Sequence, residues 1–125
     1  MKNILILEKN IIKKDDINFL QKHHPIDFIN LDKCRIKLLD ACTKHKPEII
    51  ILITKSLVNR KSHEYIYLNK LIYKNKFKLI ELAKEKSNLE NIKSNSNAVI
   101  NGSEDVLLLI LKKILNKQNY IFNEN

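Results

Sequence analysis

A doubly wound α/β domain, built on a single five-stranded parallel sheet with helices on both faces, is the fold that the sequence predicts. Three observations predict it. Two unbroken apolar runs of strand length occur, Ile4-Leu5-Ile6-Leu7 and Ile49-Ile50-Ile51-Leu52-Ile53, the second opened by Pro47. A strand with one face in water alternates apolar and polar residues, whereas a short continuous run rich in isoleucine fits a strand covered on both faces. Strand-like and helix-like stretches then alternate five times along the chain, which gives a parallel sheet with right-handed crossovers. Finally, 125 residues suit one domain, 1–125, with a core of its own. Of the doubly wound orders, 2-1-3-4-5 fits this size and places the 49–53 run centrally.

The elements follow in order. Residues 3–7 form the first strand, and Glu8 to Lys14 a loop. Asp15 or Asp16 is expected to cap a helix through His23, with Ile17, Leu20 and His24 at helical spacing, and Pro25 stops it. Residues 26–30 make a short second strand. A helix from Asp32 or Lys33 to His45 carries Ile36, Leu39 and Thr43, beside Leu38 and Cys42, as its expected apolar stripe. The central strand follows Pro47. Ser62 caps a third helix over 62–75, with Tyr65, Leu68, Leu71 and Ile72 facing inward. Residues 77–83 form the fourth strand, in which Glu81 marks a place near an edge or a residue turned to solvent. Ser87-Asn88-Leu89-Glu90 fits a capping box for a short polar helix, and 94–97 is loop. Residues 98–100 form the fifth strand, Asn101-Gly102 turns, and Ser103 with Glu104 and Asp105 opens a last helix over 106–117.

Composition excludes several functions. Gly102 is the only glycine, so neither a dinucleotide-binding nor a Walker-type phosphate loop exists here. The amino terminus runs directly into a four-residue apolar stretch, too short for a secretory core, and no segment reaches bilayer length. Two cysteines, Cys34 and Cys42, fit a reduced cytoplasmic protein. The formal net charge is +9, yet Arg35 and Arg60 are the only arginines. Specific nucleic-acid readers lean on arginine. The joint over-use of lysine, asparagine and isoleucine matches an A- and T-rich codon usage, so weak, salt-sensitive attraction to polyanions is the expectation.

Ligands in doubly wound folds bind at the carboxyl ends of the strands. Those ends offer Glu8 and Lys9, Thr54 and Lys55, Ala83 and Lys84, and Asn101 and Gly102. The opening Asn3-Ile4-Leu5-Ile6-Leu7-Glu8, the stretch Lys46-Pro47-Glu48-Ile49-Ile50-Ile51-Leu52 and the closing Ala98-Val99-Ile100-Asn101-Gly102-Ser103-Glu104-Asp105-Val106-Leu107 together resemble a response-regulator receiver of the chemotaxis-type, flavodoxin-like fold. The family's chemistry is altered at each step. Six residues beyond Pro47, where the resemblance implies the phosphate-accepting aspartate, stands Ile53. Glu8 matches the first acidic residue after strand one, but Lys9 replaces the second. Leu82 takes the place of the hydroxyl residue, Asn101 that of the lysine, and Gly102 that of the proline after it. Isoleucine has no oxygen to accept a phosphoryl group, and an ammonium removes charge that a divalent cation needs. The resemblance therefore implies a pseudo-receiver: a non-enzymatic signalling or protein-interaction module that works without phosphorylation and without a metal or cofactor. A basic nucleic-acid-binding or transcription-regulatory protein is the alternative.

Other chemistry has plainer readings. Asp15-Asp16 reads as a helix cap, and His23-His24 suits a helix carboxyl end. Cys34, Cys42 and His45 match no common zinc spacing. Tyr65, Tyr67 and Tyr73 read as packing before they read as a stacking surface. The last helix carries a surplus. Val106-Leu107-Leu108-Leu109-Ile110-Leu111 is apolar nearly all round, more than one sheet face requires. Leu107, Ile110, Leu111 and Ile114 are expected inward. Leu108 and Leu115, with Leu109 at the border, are expected outward, covered by the tail Tyr120-Ile121-Phe122 or by a second copy of the chain in a homodimer.

Overall fold

The computed structural model describes residues 2–56, 58–59, 61–84, 98–101 and 104–116. Five parallel strands, β1 (Asn3–Leu7), β2 (Ile26–Asn30), β3 (Ile49–Thr54), β4 (Lys78–Ala83) and β5 (Ala98–Asn101), lie in the order β2-β1-β3-β4-β5. Four helices are described with them: α1 (Lys14–His23), α2 (Cys34–His45), α3 (His63–Asn75) and α4 (Glu104–Asn116). Every residue of β1 and β3 is buried, as unbroken apolar runs require.

Strand alternation divides the core in two. Leu5, Leu7, Ile51, Ile53 and Leu82 pack with Leu20 of α1 and with Leu107, Leu111, Ile114 and Leu115 of α4. The intervening residues Ile4, Ile6, Ile50, Leu52 and Leu79 pack with Cys34, Leu38 and Cys42 of α2 and with Leu68, Leu71 and Ile72 of α3. Helices therefore cover both faces, and each fully buried leucine or isoleucine contributes about 1.5–3 kcal/mol of transfer free energy. At the amino ends of the strands, the buried Asn3 carboxamide accepts from the amides of Glu48 and Ile49, both at 3.3 Å. That pair of bonds holds β1 in register with the start of β3.

Several local expectations are corrected. Asp15 and Asp16 do not cap α1: Lys13 is its N-cap, without a side-chain bond, and both aspartates lie in the first turn. Their charges there still suit the positive end of the helix dipole. In α2 the buried stripe is Cys34, Leu38, Ala41 and Cys42, reached through a short 3₁₀ turn, Leu31–Lys33, whereas Ile36 and Leu39 are exposed. Glu81 neither marks an edge nor faces solvent: β4 lies between β3 and β5, and Glu81 is buried. The Ser62 cap of α3 stands, its hydroxyl accepting from the Tyr65 amide at 3.2 Å, and Tyr65, Leu68, Leu71 and Ile72 are all buried. In α4, Leu115 is buried rather than outward, Leu108 and Ile110 are half-buried against the core, and Val106 and Leu109 are exposed. The helix expected at 87–92, the loop at 94–97, the Gly102 turn, the Ser103 cap and the tail 120–122 lie outside the described residues.

Candidate functional site

The carboxyl ends of β1, β3 and β4 meet in a tightly tied mouth. The Glu8 amide donates to the Ile53 carbonyl at 3.0 Å, and the Lys84 amide donates to the Thr54 carbonyl at 3.0 Å. The Glu8 carboxylate accepts from the Lys55 amide at 2.8 Å. Three consecutive strand ends are thus fixed to one another just where each strand stops. The Thr54 hydroxyl donates to the Ser56 carbonyl at 2.6 Å, which turns the chain away from β3.

Sheet register decides which residues stand in this mouth. Leu7, Ile53, Leu82 and Ile100 are row-mates across β1, β3, β4 and β5. Ile53 and Leu82 are fully buried in the α1/α4 side of the core. One row further on come Thr54, Ala83 and Asn101. Of the residues that the family spacing singled out, the structure brings Glu8 and Lys9 to the mouth and puts Asn101 at the end of β5. Ile53 and Leu82 lie one row below, in the core, and line neither cleft.

Among the described residues, two clefts at the mouth share Glu8 and Lys9. One, about 380 Å³, is lined further by Asn10, Ile11, Lys55 and Lys84. The other, also about 380 Å³, is lined further by Leu31, Asp32 and Glu64. Lys9 therefore stands between a lysine-rich side and a carboxylate-rich side. Asn10, at a φ of 63°, makes the turn that sends Ile11 and Ile12 back into the core and so fixes the wall of the first cleft. Of these lining residues, Glu64 has no signal of its own in the sequence. Its position follows only from the Ser62 cap, which sets the first turn of α3.

The remaining candidates lie elsewhere. Asp15 is exposed on α1 and Asp16 half-buried. His23 lies tilted against Phe19, ring centroids 4.3 Å apart and planes at 43°, and the Lys112 ammonium lies 5.0 Å from the centroid of the same Phe19 ring. Burial, followed by the charge of His23, lowers the pKa of His24 below its ordinary value. His45 pairs with Asp27 at 3.2 Å, Nε2 to Oδ2. No group of three His, Cys, Asp or Glu residues fit to hold a metal occurs among the described residues. The three tyrosines of α3 are divided: Tyr65 is buried, Tyr67 half-buried and Tyr73 exposed, so they form no common stacking surface. Among the described residues, no helix is long and apolar enough to cross a membrane.

No family model matches the chain, and no curated protein sequence matches it. Solved structures do. The chain is similar to the RcsB response regulator of Salmonella typhimurium, from a structure concerned with its conformational dynamism for DNA interaction, at a TM-score of 0.56 and 15% sequence identity. The match covers 95% of this chain and 62% of that one, so the chain spans less than two thirds of the regulator's length. The likeness is one of fold, a parallel α/β sheet of the kind found in response regulators.

Proposed function

We propose that this chain is a non-enzymatic, cytoplasmic signalling module: a receiver-like domain that engages a protein partner without aspartyl phosphorylation. The observation that carries this reading is the make-up of the mouth. Among the described residues, Glu8 is the one carboxylate on the side formed by the strand ends, and that carboxylate accepts from the Lys55 amide. Lys9, Lys55 and Lys84 surround it. A magnesium ion needs several oxygen ligands and negative charge, whereas the described residues here supply one carboxylate, already engaged by a backbone amide, among three lysines. The expected outcome is no mass increase after incubation with acetyl phosphate, and no magnesium- or beryllofluoride-dependent change in the amide spectra of Glu8 and Thr54. A stoichiometric phosphoryl adduct, or a saturable magnesium response there, would overturn the reading. Ile53→Asp alone should not restore phosphorylation, because Ile53 lies in the buried row and Lys9 still repels the metal.

The same reading includes a weak homodimer through α4, supported by the exposed pair Val106 and Leu109. A second reading, nucleic-acid binding, is favoured by the net charge of +9 and is supported by the likeness to a regulator that interacts with DNA. Salt separates the two. Charge-driven binding to a DNA duplex falls steeply between low and moderate salt, whereas partner binding through an apolar face is nearly unchanged.

A further inference from the structure

We propose that the outward face of α2 is a docking surface for an acidic amphipathic helix of a partner protein. On its sheet side α2 buries Cys34, Leu38, Ala41 and Cys42. Its bulkier aliphatic residues face away from the sheet: Ile36 is 71% exposed and Leu39 52%. Thr43 is exposed as well, and its hydroxyl donates to the Leu39 carbonyl at 2.9 Å, so its polar group is satisfied within the helix. Residues 36, 39 and 43 stand at i, i+3 and i+7, which makes one stripe along the helix. A helix that covers a single sheet face needs apolar residues on one side only. Here the second side carries them too, and it stays open to solvent.

The charge beside the stripe selects the partner. Arg35 and Lys37 flank Ile36, about 100° to either side of it around the helix. Lys44, seven residues beyond Lys37, continues the second flank. Along α2 these three cations stand against one carboxylate, Asp40. Among the described residues, none of the three makes an ion pair. Lysine is common throughout this chain and alone selects nothing, but Arg35 is one of only two arginines, and arginine is enriched where protein surfaces meet. The flank of Lys37 and Lys44 borders a groove of about 270 Å³ against Asp27, Phe28 and Ile29 of β2, which gives side chains of a partner a place to enter. An apolar stripe between cations complements a helix whose own apolar stripe runs between carboxylates. A nucleic-acid backbone would meet the charges and leave Ile36 and Leu39 uncovered. The inference rests on the proposal that the chain engages a protein partner, and it names the surface. A phosphoryl adduct at the mouth would end the phosphorylation-free reading and leave this surface standing; failure to bind an acidic helix would do the reverse.

The test is an amide-resolved NMR titration of the full chain at about 0.15 M salt, where surface attractions are screened beyond ~8 Å. The probe is a synthetic peptide of about 18 residues, long enough to form a helix, with leucines at i, i+3, i+4 and i+7 between glutamates. A scrambled peptide of the same composition and a version with lysine in place of glutamate are the controls. Expected are saturable shifts confined to residues 33–46, with both controls at least about tenfold weaker. Ile36→Gln and Leu39→Gln should each weaken binding about tenfold. Arg35→Glu should weaken it about threefold, an effect that shrinks at about 0.5 M salt. Leu109→Gln, on α4, should leave it unchanged. Leu39→Ala provides a milder variant if circular dichroism shows that glutamine disturbs the helix. No saturable shift, or equal binding of the scrambled peptide, would overturn the proposal. So would shifts centred on α4 and lost in Leu109→Gln, or a response of residues 33–46 to a short DNA duplex with none to the peptide.

Discussion

At the scale of single residues, burial sets the chemistry of the two cysteines. Both are free and buried on the inward face of α2. Burial, then the nearby Cys42 and Glu64, pushes the Cys34 thiol up to about 12, and burial pushes Cys42 up to about 11. Reactivity follows the thiolate, so neither should react with a thiol-specific disulfide reagent at neutral pH until the protein unfolds, when both react at once. The linkage to stability has a definite sign. The folded state keeps its thiol protons above the ordinary pKa of 9.0, while the unfolded chain loses them. Their contribution is therefore complete below about pH 9 and is lost as the pH rises towards 11 and 12. In urea melts, replacing both cysteines with alanine should flatten this alkaline fall; an unchanged alkaline limb would count against it. Residue placement was only partly legible in the sequence. The position just after the first strand placed Glu8 and Lys9 at the mouth, and both line its clefts. Counting from Pro47 placed Ile53 there as well, but only the pairing of β1 with β3 and of β3 with β4 shows that its row is buried. Glu81 misled for a related reason: a charge inside a strand reads as a solvent-facing position, and the strand order that buries it is a long-range property.

At the scale of elements, the near-absence of glycine has a visible cost. Helices commonly end on a left-handed residue, and glycine takes that conformation without a Cβ penalty. Here α2 and α3 end on lysines, Lys46 at a φ of 48° and Lys76 at 59°, whose amides bond to the carbonyls of Cys42 and Ile72. A non-glycine residue in this region costs about 1–2 kcal/mol. Lys76→Gly should therefore raise stability by about 1 kcal/mol, read as a higher urea midpoint with the slope unchanged. No gain would mean that the unfolded-state entropy of the new glycine cancels the relief. The strands were the most legible elements, because an unbroken apolar run has few other places to go. The stripe of α2 was the least legible. The expected stripe joined Ile36, Leu39 and Thr43 to Leu38 and Cys42; the structure buries only the last two of these, with Cys34 and Ala41, and leaves the other three exposed, because residues at helical spacing define more than one face.

At the scale of the whole molecule, the exposed part of α4 decides whether the chain pairs with itself. The sequence shows an apolar surplus on this helix but cannot set its rotation. Leu107, Leu111, Ile114 and Leu115 define the face that the sheet takes, and Leu108 and Ile110 flank it, half-buried. Val106 and Leu109 remain at the surface, followed along the same stripe by the exposed Lys113 and Asn116. A stable dimer buries about 800 Å² on each partner, far more than two aliphatic side chains supply. The pair therefore supports a weak, concentration-dependent association. Leu109→Lys should give a folded protein that light scattering shows as monomeric at concentrations where the wild type has begun to pair. Leu111→Lys places an ammonium among the buried aliphatic side chains on the α1/α4 side of the core, and circular dichroism should show it unfolded. Leu108→Lys should fall between, losing stability because Leu108 packs against the core while its outer side meets water. If the wild type stays monomeric throughout the concentration range, α4 is not a seam between copies, and the exposed pair has no part in self-association. If Leu109→Lys unfolds as Leu111→Lys does, Leu109 belongs to the sheet-facing side of the helix and not to its exposed side.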